Sequence, residues 1–334
     1  MNIKQWFVIG WGVFLLGACA GSATAPTTAR EPDFPAQRYL TAVGIAATEA
    51  EARRQAVVEM SHIFESRVFA ETYASVQSVI NETDQEVFSR EAESRVRTVS
   101  EVELKGVRIG KTWQDSTSGQ VHAMAVLDKF QARRSWEGEI EAIETAMEGT
   151  RSSLAAARSD FRKLQAQNQL MSFWLQRESI RSRLRVIGFA GIQEEEEEIH
   201  DIVRANAEIR GRLKILIDIS GKKGPAVIST VGQRLTENGY NLVLTGQEPD
   251  IVLQGEIRTE NVNLPNPQVR FVRAQVILQL IDRVEGRQVA EIKEDIRKGH
   301  VDRKEAARNA VEGVAGMTAA RVIAVFGQVD ASRD

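Results

Sequence analysis

Residues 136–175 read WEGEIEAIETAMEGTRSSLAAARSDFRKLQAQNQLMSFWL, and this stretch decides how the fold is organised. Apolar residues recur along it at alternating spacings of four and three. The seam consists of Trp136, Ile140, Ile143, Met147, Thr150, Leu154, Ala157, Phe161, Leu164, Asn168, Met171 and Leu175. A seam of this period is typical of a coiled coil, so residues 131–178 are predicted to form one long heptad helix that separates two domains.

The sequence leaves the arrangement of this helix open. Gly149 and the pair Ser152-Ser153 weaken its middle, where the chain could fold back into a helical hairpin. Asn168 interrupts the seam, and a buried Asn at such a position can fix the register or the number of partners. Three arrangements are compatible with the seam: a homo-oligomer through residues 136–175, an intramolecular hairpin, and a helix that lies on its own domain.

The residues before this helix, 39–130, are predicted to form an α+β domain. Thr48-Glu49-Ala50-Glu51 is a capping box, in which the Thr48 hydroxyl accepts from an early helix N–H and Glu51 reaches back. The helix that follows has an apolar face made of Ala56, Met60, Ile63, Phe64 and Val68. Alternating apolar residues predict strands at 39–46, 102–113 and 121–127, the last two joined by a turn through residues 115–119.

Residues 179–211 are predicted to be a charged linker that contains a helix. Four arginines lie at or near its start, namely Arg177, Arg181, Arg183 and Arg185. Five successive glutamates at 194–198 are interpreted as the solvated first turns of a helix, where negative charge suits the helix dipole.

Residues 212–328 are predicted to form a second domain of order β-α-β-β-β-β-α. Gly221 opens the turn into its first helix, Pro225 suits the first helical position and Gly239 suits the exit. The predicted strands are 213–219, 241–245, 250–256, 269–282 and 288–296. A closing helix over 302–326 is apolar on most sides and is expected to lie buried against the sheet.

The N-terminus has the layout of a secretory signal. Lys4 is followed by an apolar run over residues 6–16, and small residues come directly after it. That run is too short to span a bilayer comfortably, which takes about 20 residues. Residues 19–38 are rich in Ala, Thr, Ser and Pro, so they are predicted to be a flexible tether.

Cys19, the chain's one cysteine, follows Leu16-Gly17-Ala18, and this motif resembles the lipobox of a bacterial lipoprotein precursor. The resemblance implies removal of residues 1–18 and lipid, such as palmitate, on the sulfur and amino group of Cys19. Two or more acyl chains give a stable membrane anchor. Ala20 in place of Asp favours the outer membrane in enteric-type sorting. An uncleaved signal anchor, or an ordinary signal with a coincidental cysteine, is the alternative.

Two further stretches resemble known families. The segment Val43-Gly44-Ile45-Ala46, the following Ala50, Ala52 and Ala56, and VHAMAVLDK at residues 121–129 resemble the LPP20 lipoprotein family and the N-terminal region of flagellar assembly protein T. This chain has Asp128-Lys129 where members end with Asp-Arg. The resemblance implies an envelope lipoprotein without a catalytic centre and carries over no functional residues. DIVLQG at 250–255 is similar to periplasmic domains of curli-secretion and penicillin-binding-protein-activator lipoproteins, which implies an interaction module.

Composition and motifs argue against several classes of function. Charged residues make up 27% of the chain, its net charge is −3 and no basic face dominates, so nucleic acid is not an expected partner. Residues 106–112 have one residue too few for a phosphate-binding loop and lie in a strand pattern. No catalytic residue, cofactor or metal site is predicted, because the thiol is used for lipid and the histidines are dispersed at His62, His122, His200 and His300.

The sequence therefore predicts a lipid-anchored envelope lipoprotein that acts as a non-catalytic scaffold or accessory subunit of a flagellar or cell-wall assembly. Its expected partners are the membrane, through Cys19, and envelope proteins or peptidoglycan-associated machinery. Two alternatives from other classes are an oligomeric secretion-channel component and a cell-wall enzyme whose site forms only on folding.

Overall fold

The computed structural model describes residues 34–83, 96, 104–189, 196–263 and 268–327. Within them lie two sheets and six helices, a mixed composition that agrees with the predicted α+β class. The elements are β1 (Tyr39–Ala46), α1 (Glu49–Thr83), β2 (Arg108–Gln114), β3 (Val121–Asp128), α2 (Lys129–Ala156), α3 (Asp160–Val186), α4 (Glu196–Arg212), β4 (Lys214–Ser220), α5 (Gly224–Glu237), β5 (Asn241–Leu242), β6 (Ile251–Val262), β7 (Arg270–Asp282), β8 (Arg287–His300) and α6 (Arg303–Gly327).

The first module is an antiparallel sheet of order β1-β3-β2 covered by α1. The predicted cap forms, since the Glu51 N–H donates to Thr48 Oγ1 at 3.4 Å. The helix buries one residue in every four along its length, namely Ala52, Ala56, Met60, Phe64, Val68, Thr72 and Val76. This stripe packs on the sheet and on the later helices, so α1 links both.

Strand β2 begins later than the sequence predicts. The expected strand over 102–113 starts at Arg108, while residues 102 and 103 lie outside the described ranges. Gly106 has a φ of +88° and therefore turns the chain out of the extended conformation just before the strand. The following hairpin turn forms as predicted, with Asp115 Oδ1 accepting from the Thr117 N–H at 2.7 Å.

Of the three arrangements that the seam allows, the chain has the helical hairpin, formed by α2 and α3, and the one long helix predicted over 131–178 does not form. Ala157 is extended (φ −68°, ψ 126°), and the Ser159 side chain caps α3 by accepting from the Arg162 N–H at 3.1 Å. The two helices are antiparallel, since Glu139 near the start of α2 lies against Arg183 near the end of α3. Gly149 stays helical. The cap at Ser159, followed by Asp160, sets the break instead.

The central helix of the molecule is α3, which is buried on nearly all sides. It packs against α1, α2, α4 and α6. The predicted linker over 179–211 is therefore corrected: residues 179–186 complete α3, and residues 196–212 form α4. Because a helix that is buried all round must find partners on every face, α3 joins the two modules into one body.

The second module follows the predicted β-α-β-β-β-β-α order. Its sheet has the order β5-β4-β6-β7-β8, in which β4 runs parallel to β5 and β6, while β6, β7 and β8 are antiparallel. Strand β5 has two residues rather than the expected 241–245. Leu244 is 80% exposed and Gly246 has a φ of +101°, so the chain leaves the sheet early.

Helices α5 and α6 cover one face of this sheet. By length and composition, α6 is the one described helix that could cross a membrane. Its apolar residues have another explanation, because they pack in the core of the second module. They include Ala306, Ala310, Val314, Ala315, Ala319, Val322 and Phe326.

Candidate functional site at the central helix

The predicted lipidation site, Cys19, lies outside the described residues, as do residues 1–33. The last part of the predicted tether is held by the first module. The Phe34 ring meets the Tyr39 ring edge-on at 5.2 Å, and Lys129 Nζ donates to the Ala36 carbonyl at 2.8 Å. Residues 34–38 therefore belong to the first module rather than to a free tether.

A network of charges connects α3 to α4. The Arg177 side chain, 5% exposed as a residue, places its Nη2 2.6 Å from Glu198 Oε2. The same carboxylate also pairs with Arg151 of α2. Glu198 belongs to the acidic run that was expected to be solvated; it instead lies between two arginines. Burial raises the pKa of Glu198, but the hydrogen bonds and charges of Arg177 and Arg151 outweigh burial and hold the pKa below its ordinary value.

A second set of contacts connects α3 to α1. Arg185 Nη2 lies 2.7 Å from Glu178 Oε1 on the same helix, and Arg185 Nε lies 3.3 Å from Glu71 Oε2 on α1. Arg183, two residues earlier, is 9% exposed, and its nearest carboxylate within the described ranges is that of Glu139 at 3.9 Å. Three arginines of the run, Arg177, Arg183 and Arg185, thus have different surroundings along one helix.

Asn168 connects the hairpin to the second module. Its Nδ2 donates to the carbonyl of Phe326 in α6 at 2.9 Å, and its Oδ1 accepts from Asn206 Nδ2 in α4 at 2.7 Å. All of this is buried. Nearby, Arg212 Nε lies 2.6 Å from Asp160 Oδ2, which ties the end of α4 to the start of α3.

The histidines are not brought together. His62 is exposed, the His122 ring stacks on Trp113 at 5.2 Å, and His300 Nδ1 accepts from the Asp302 N–H at 3.0 Å. Within the described ranges, no group of three or more His, Cys, Asp or Glu could hold a metal ion. The structure instead places hydrogen bonds and ion pairs between α3 and the neighbouring helices. The sequence did not predict these contacts, because they join residues that are far apart in the chain.

One segment of the chain matches a known protein family. Residues 26–128 match the LPP20 lipoprotein family model. The match covers the end of the tether and the first module through β3, which confirms the resemblance to the LPP20 lipoprotein family drawn from the residues of β1, α1 and β3. A match to the LPP20 lipoprotein family supports an envelope lipoprotein.

Solved structures show more distant likenesses. The secreted protein HP1454 from Helicobacter pylori is 12% identical, with 84% of this chain and 97% of that chain covered and a TM-score of 0.41. A minor lipoprotein from Acinetobacter baumannii is 16% identical, with 34% and 92% covered and a TM-score of 0.29. The rare lipoprotein B from Shewanella oneidensis is 16% identical, with 33% and 90% covered and a TM-score of 0.25. No curated protein matches the chain.

Proposed function

We propose that this chain is a lipid-anchored lipoprotein of the bacterial envelope that acts as a non-catalytic scaffold or accessory subunit of an envelope assembly, flagellar or cell-wall. The observation that carries the proposal is the match of residues 26–128 to a lipoprotein family, which begins seven positions after a cysteine in a lipobox-like motif. Lipid on Cys19 holds the chain at the membrane, and Ala20 favours the outer membrane, with the body in the periplasm.

The scaffold role is supported by how the two modules are joined. A scaffold must keep its binding surfaces in a fixed relation, and this requires a stiff connection between them. Here the connection is α3, whose Asn168 binds α6 and whose Arg185 pairs with α1. The Asn168 bond is buried, whereas the Arg185 pair is partly exposed. A buried hydrogen bond of this kind is satisfied in only one arrangement of the helices, so it favours a single relative position of the modules.

The proposed partners are envelope proteins or peptidoglycan-associated machinery. A homo-oligomer through residues 136–175 stays a prediction; most of the seam is buried within the chain, so such an oligomer would have to displace intramolecular contacts. Light scattering on the purified protein tests it, since a monomer contradicts the oligomer and a large closed ring favours the secretion-channel alternative.

The anchoring part of the proposal is tested by the mass and the location of the mature protein. We expect the native chain to begin at Cys19 with lipid attached and to sediment with outer membranes. Cys19→Ser is expected to remove the lipid, while Ser22→Ala, three residues away, is the matched control and should sediment as the native chain does. An intact Met1 or an unmodified thiol on Cys19 in the native chain would contradict the proposal.

A further inference from the structure

We propose that a cleft between α2, α3 and the turn before β2 binds a small organic acid, with the Arg183 guanidinium as the group that holds its carboxylate. The cleft has a volume of about 140 Å³. It is lined by Phe64, Leu104, Lys105, Ala132, Ser135, Trp136, Glu139 and Arg183. This site goes beyond the proposed scaffold role and does not depend on the lipid anchor.

Arg183 is unusual among the buried cations of α3. Its residue is 9% exposed, yet the one carboxylate that the described residues bring near it is Glu139, whose oxygen lies 3.9 Å from Arg183 Nη1. That separation is too long for a hydrogen bond. Arg177, two turns earlier on the same helix, has a carboxylate oxygen at 2.6 Å. Arg183 is therefore buried like Arg177, but no described carboxylate lies at hydrogen-bond distance from it.

The physical consequence is a buried guanidinium with donors to offer. A guanidinium has five N–H donors, and those of Arg183 face the cleft, where its side chain is 11% exposed. Burial also lowers the pKa of Arg183, and Glu139 offsets this only in part. An anion in the cleft would accept hydrogen bonds from these donors, and a carboxylate fits the planar donor fork with two parallel bonds.

The rest of the cleft indicates what the anion is attached to. Its floor is apolar, with Phe64 and Trp136 stacked at 5.6 Å between ring centroids, and Leu104 and Ala132 beside them. A cavity of about 150 Å³ accommodates benzene, so the volume of this open cleft is enough for about one ring. Lys105 at the rim adds a second positive charge. The matching chemistry is a carboxylate on an apolar body of about one ring.

Isothermal titration of the full chain in detergent with benzoate tests the site. Benzamide is the matched ligand control, because it has the same shape without the charge. We expect benzoate to bind and benzamide to bind at least about ten-fold more weakly, since a hydrogen bond to a charged group is worth one to two powers of ten in affinity. Inorganic phosphate is expected to bind more weakly than benzoate, because it leaves the apolar floor unused.

Three variants assign the binding to Arg183. Arg183→Met should weaken benzoate binding by about ten-fold or more, and Glu139→Gln should strengthen it a few-fold because a competing carboxylate is removed. Arg134→Met, an exposed arginine of α2, is the matched control and should bind as the native chain does. If Arg183→Met does not fold, the comparison of benzoate with benzamide and the affinity of Glu139→Gln for benzoate still test whether the cleft binds a carboxylate. Equal binding of benzoate and benzamide, no binding of benzoate, or unchanged binding in a folded Arg183→Met chain would overturn the proposal.

Discussion

The side-chain amide of Asn168 donates a 2.9 Å hydrogen bond to the carbonyl oxygen of Phe326, and both residues are fully buried. The two residues lie 158 positions apart, one in the first third of α3 and the other in the last turn of α6. Carbonyls in the last turn of a helix have no partner within the helix, so this one needs an outside donor. Asn168 supplies it, and in doing so attaches the second module to the helical hairpin.

Asn168→Leu is therefore expected to destabilise the protein by about 2–3 kcal/mol. The substitution leaves the Phe326 carbonyl and the Asn206 amide buried without their shared partner, and each such group is costly. Urea unfolding followed by circular dichroism measures the change. Gln169→Ala, at the next and half-buried position of α3, is the control and should cost well under 1 kcal/mol; a similar small loss for Asn168→Leu would show that the tie contributes little.

Gly44 is expected to tolerate no side chain. A Cβ there would lie 2.2 Å from the Ala56 nitrogen and 2.4 Å from the Ala52 oxygen, so β1 and α1 would have to separate. We expect Gly44→Ala to cost about 3 kcal/mol or more. Gly138→Ala is the matched control, since nothing lies within 4 Å of that position on α2, and it should stabilise the helix by about 0.5–1 kcal/mol. Thermal unfolding of both variants checks this, and equal effects would contradict the close packing of β1 on α1.

The Arg177–Glu198 pair should show strong coupling in a double-mutant cycle. With Arg177→Met and Glu198→Gln we expect an interaction energy of about 1–3 kcal/mol, because Arg177 is buried and Glu198 is partly buried. The exposed pair Arg204–Asp201 on α4 is the comparison and should give about 0.5 kcal/mol or less. Cycles of equal size would mean that burial does not strengthen the inner pair.

Acid should weaken the tie between α3 and α4. The hydrogen bond from Arg212 holds the pKa of Asp160 below its ordinary value of 3.8, against the opposing effect of burial. Its contribution to stability is thus present above about pH 4 and is lost as the pH falls through the lowered pKa. Asp160→Asn should cost less than about 1 kcal/mol at pH 7, since Arg212 is half exposed, and this difference should shrink below pH 4. A difference that stays constant from pH 7 to pH 3 would rule the effect out.

The hairpin predicts a short distance between two positions that a straight helix would hold apart. Ala146 and Gln169 line the same groove between α2 and α3. In one continuous helix, the 23 residues between them would span about 35 Å at 1.5 Å per residue. Spin labels on Ala146→Cys and Gln169→Cys, with Cys19→Ser, should instead report a separation close to the roughly 10 Å spacing of packed helices plus the label length. A distance near 35 Å would contradict the hairpin and support one continuous helix.

Much of the fold is readable from local signals. Alternation predicted β1, β3 and the long strands of the second module, since the side-chain period of a strand is two. The capping box at Thr48 and the turn at Asp115 form as predicted, because each depends on hydrogen bonds within a few residues. The family resemblance of the first module also rests on contiguous residues, and the LPP20 match confirms it.

The sequence by itself determined that residues 136–175 carry an apolar stripe, but the tertiary structure decided what that stripe packs against. A heptad period states that a helix must bury one side, and it is satisfied equally by a second chain or by the same chain folded back. The partners of Asn168 and Glu198 and the position of Arg183 in the cleft were decided in the same way. Each depends on atoms that only the folded chain brings together, and no local pattern specifies a contact between residues that are far apart in sequence.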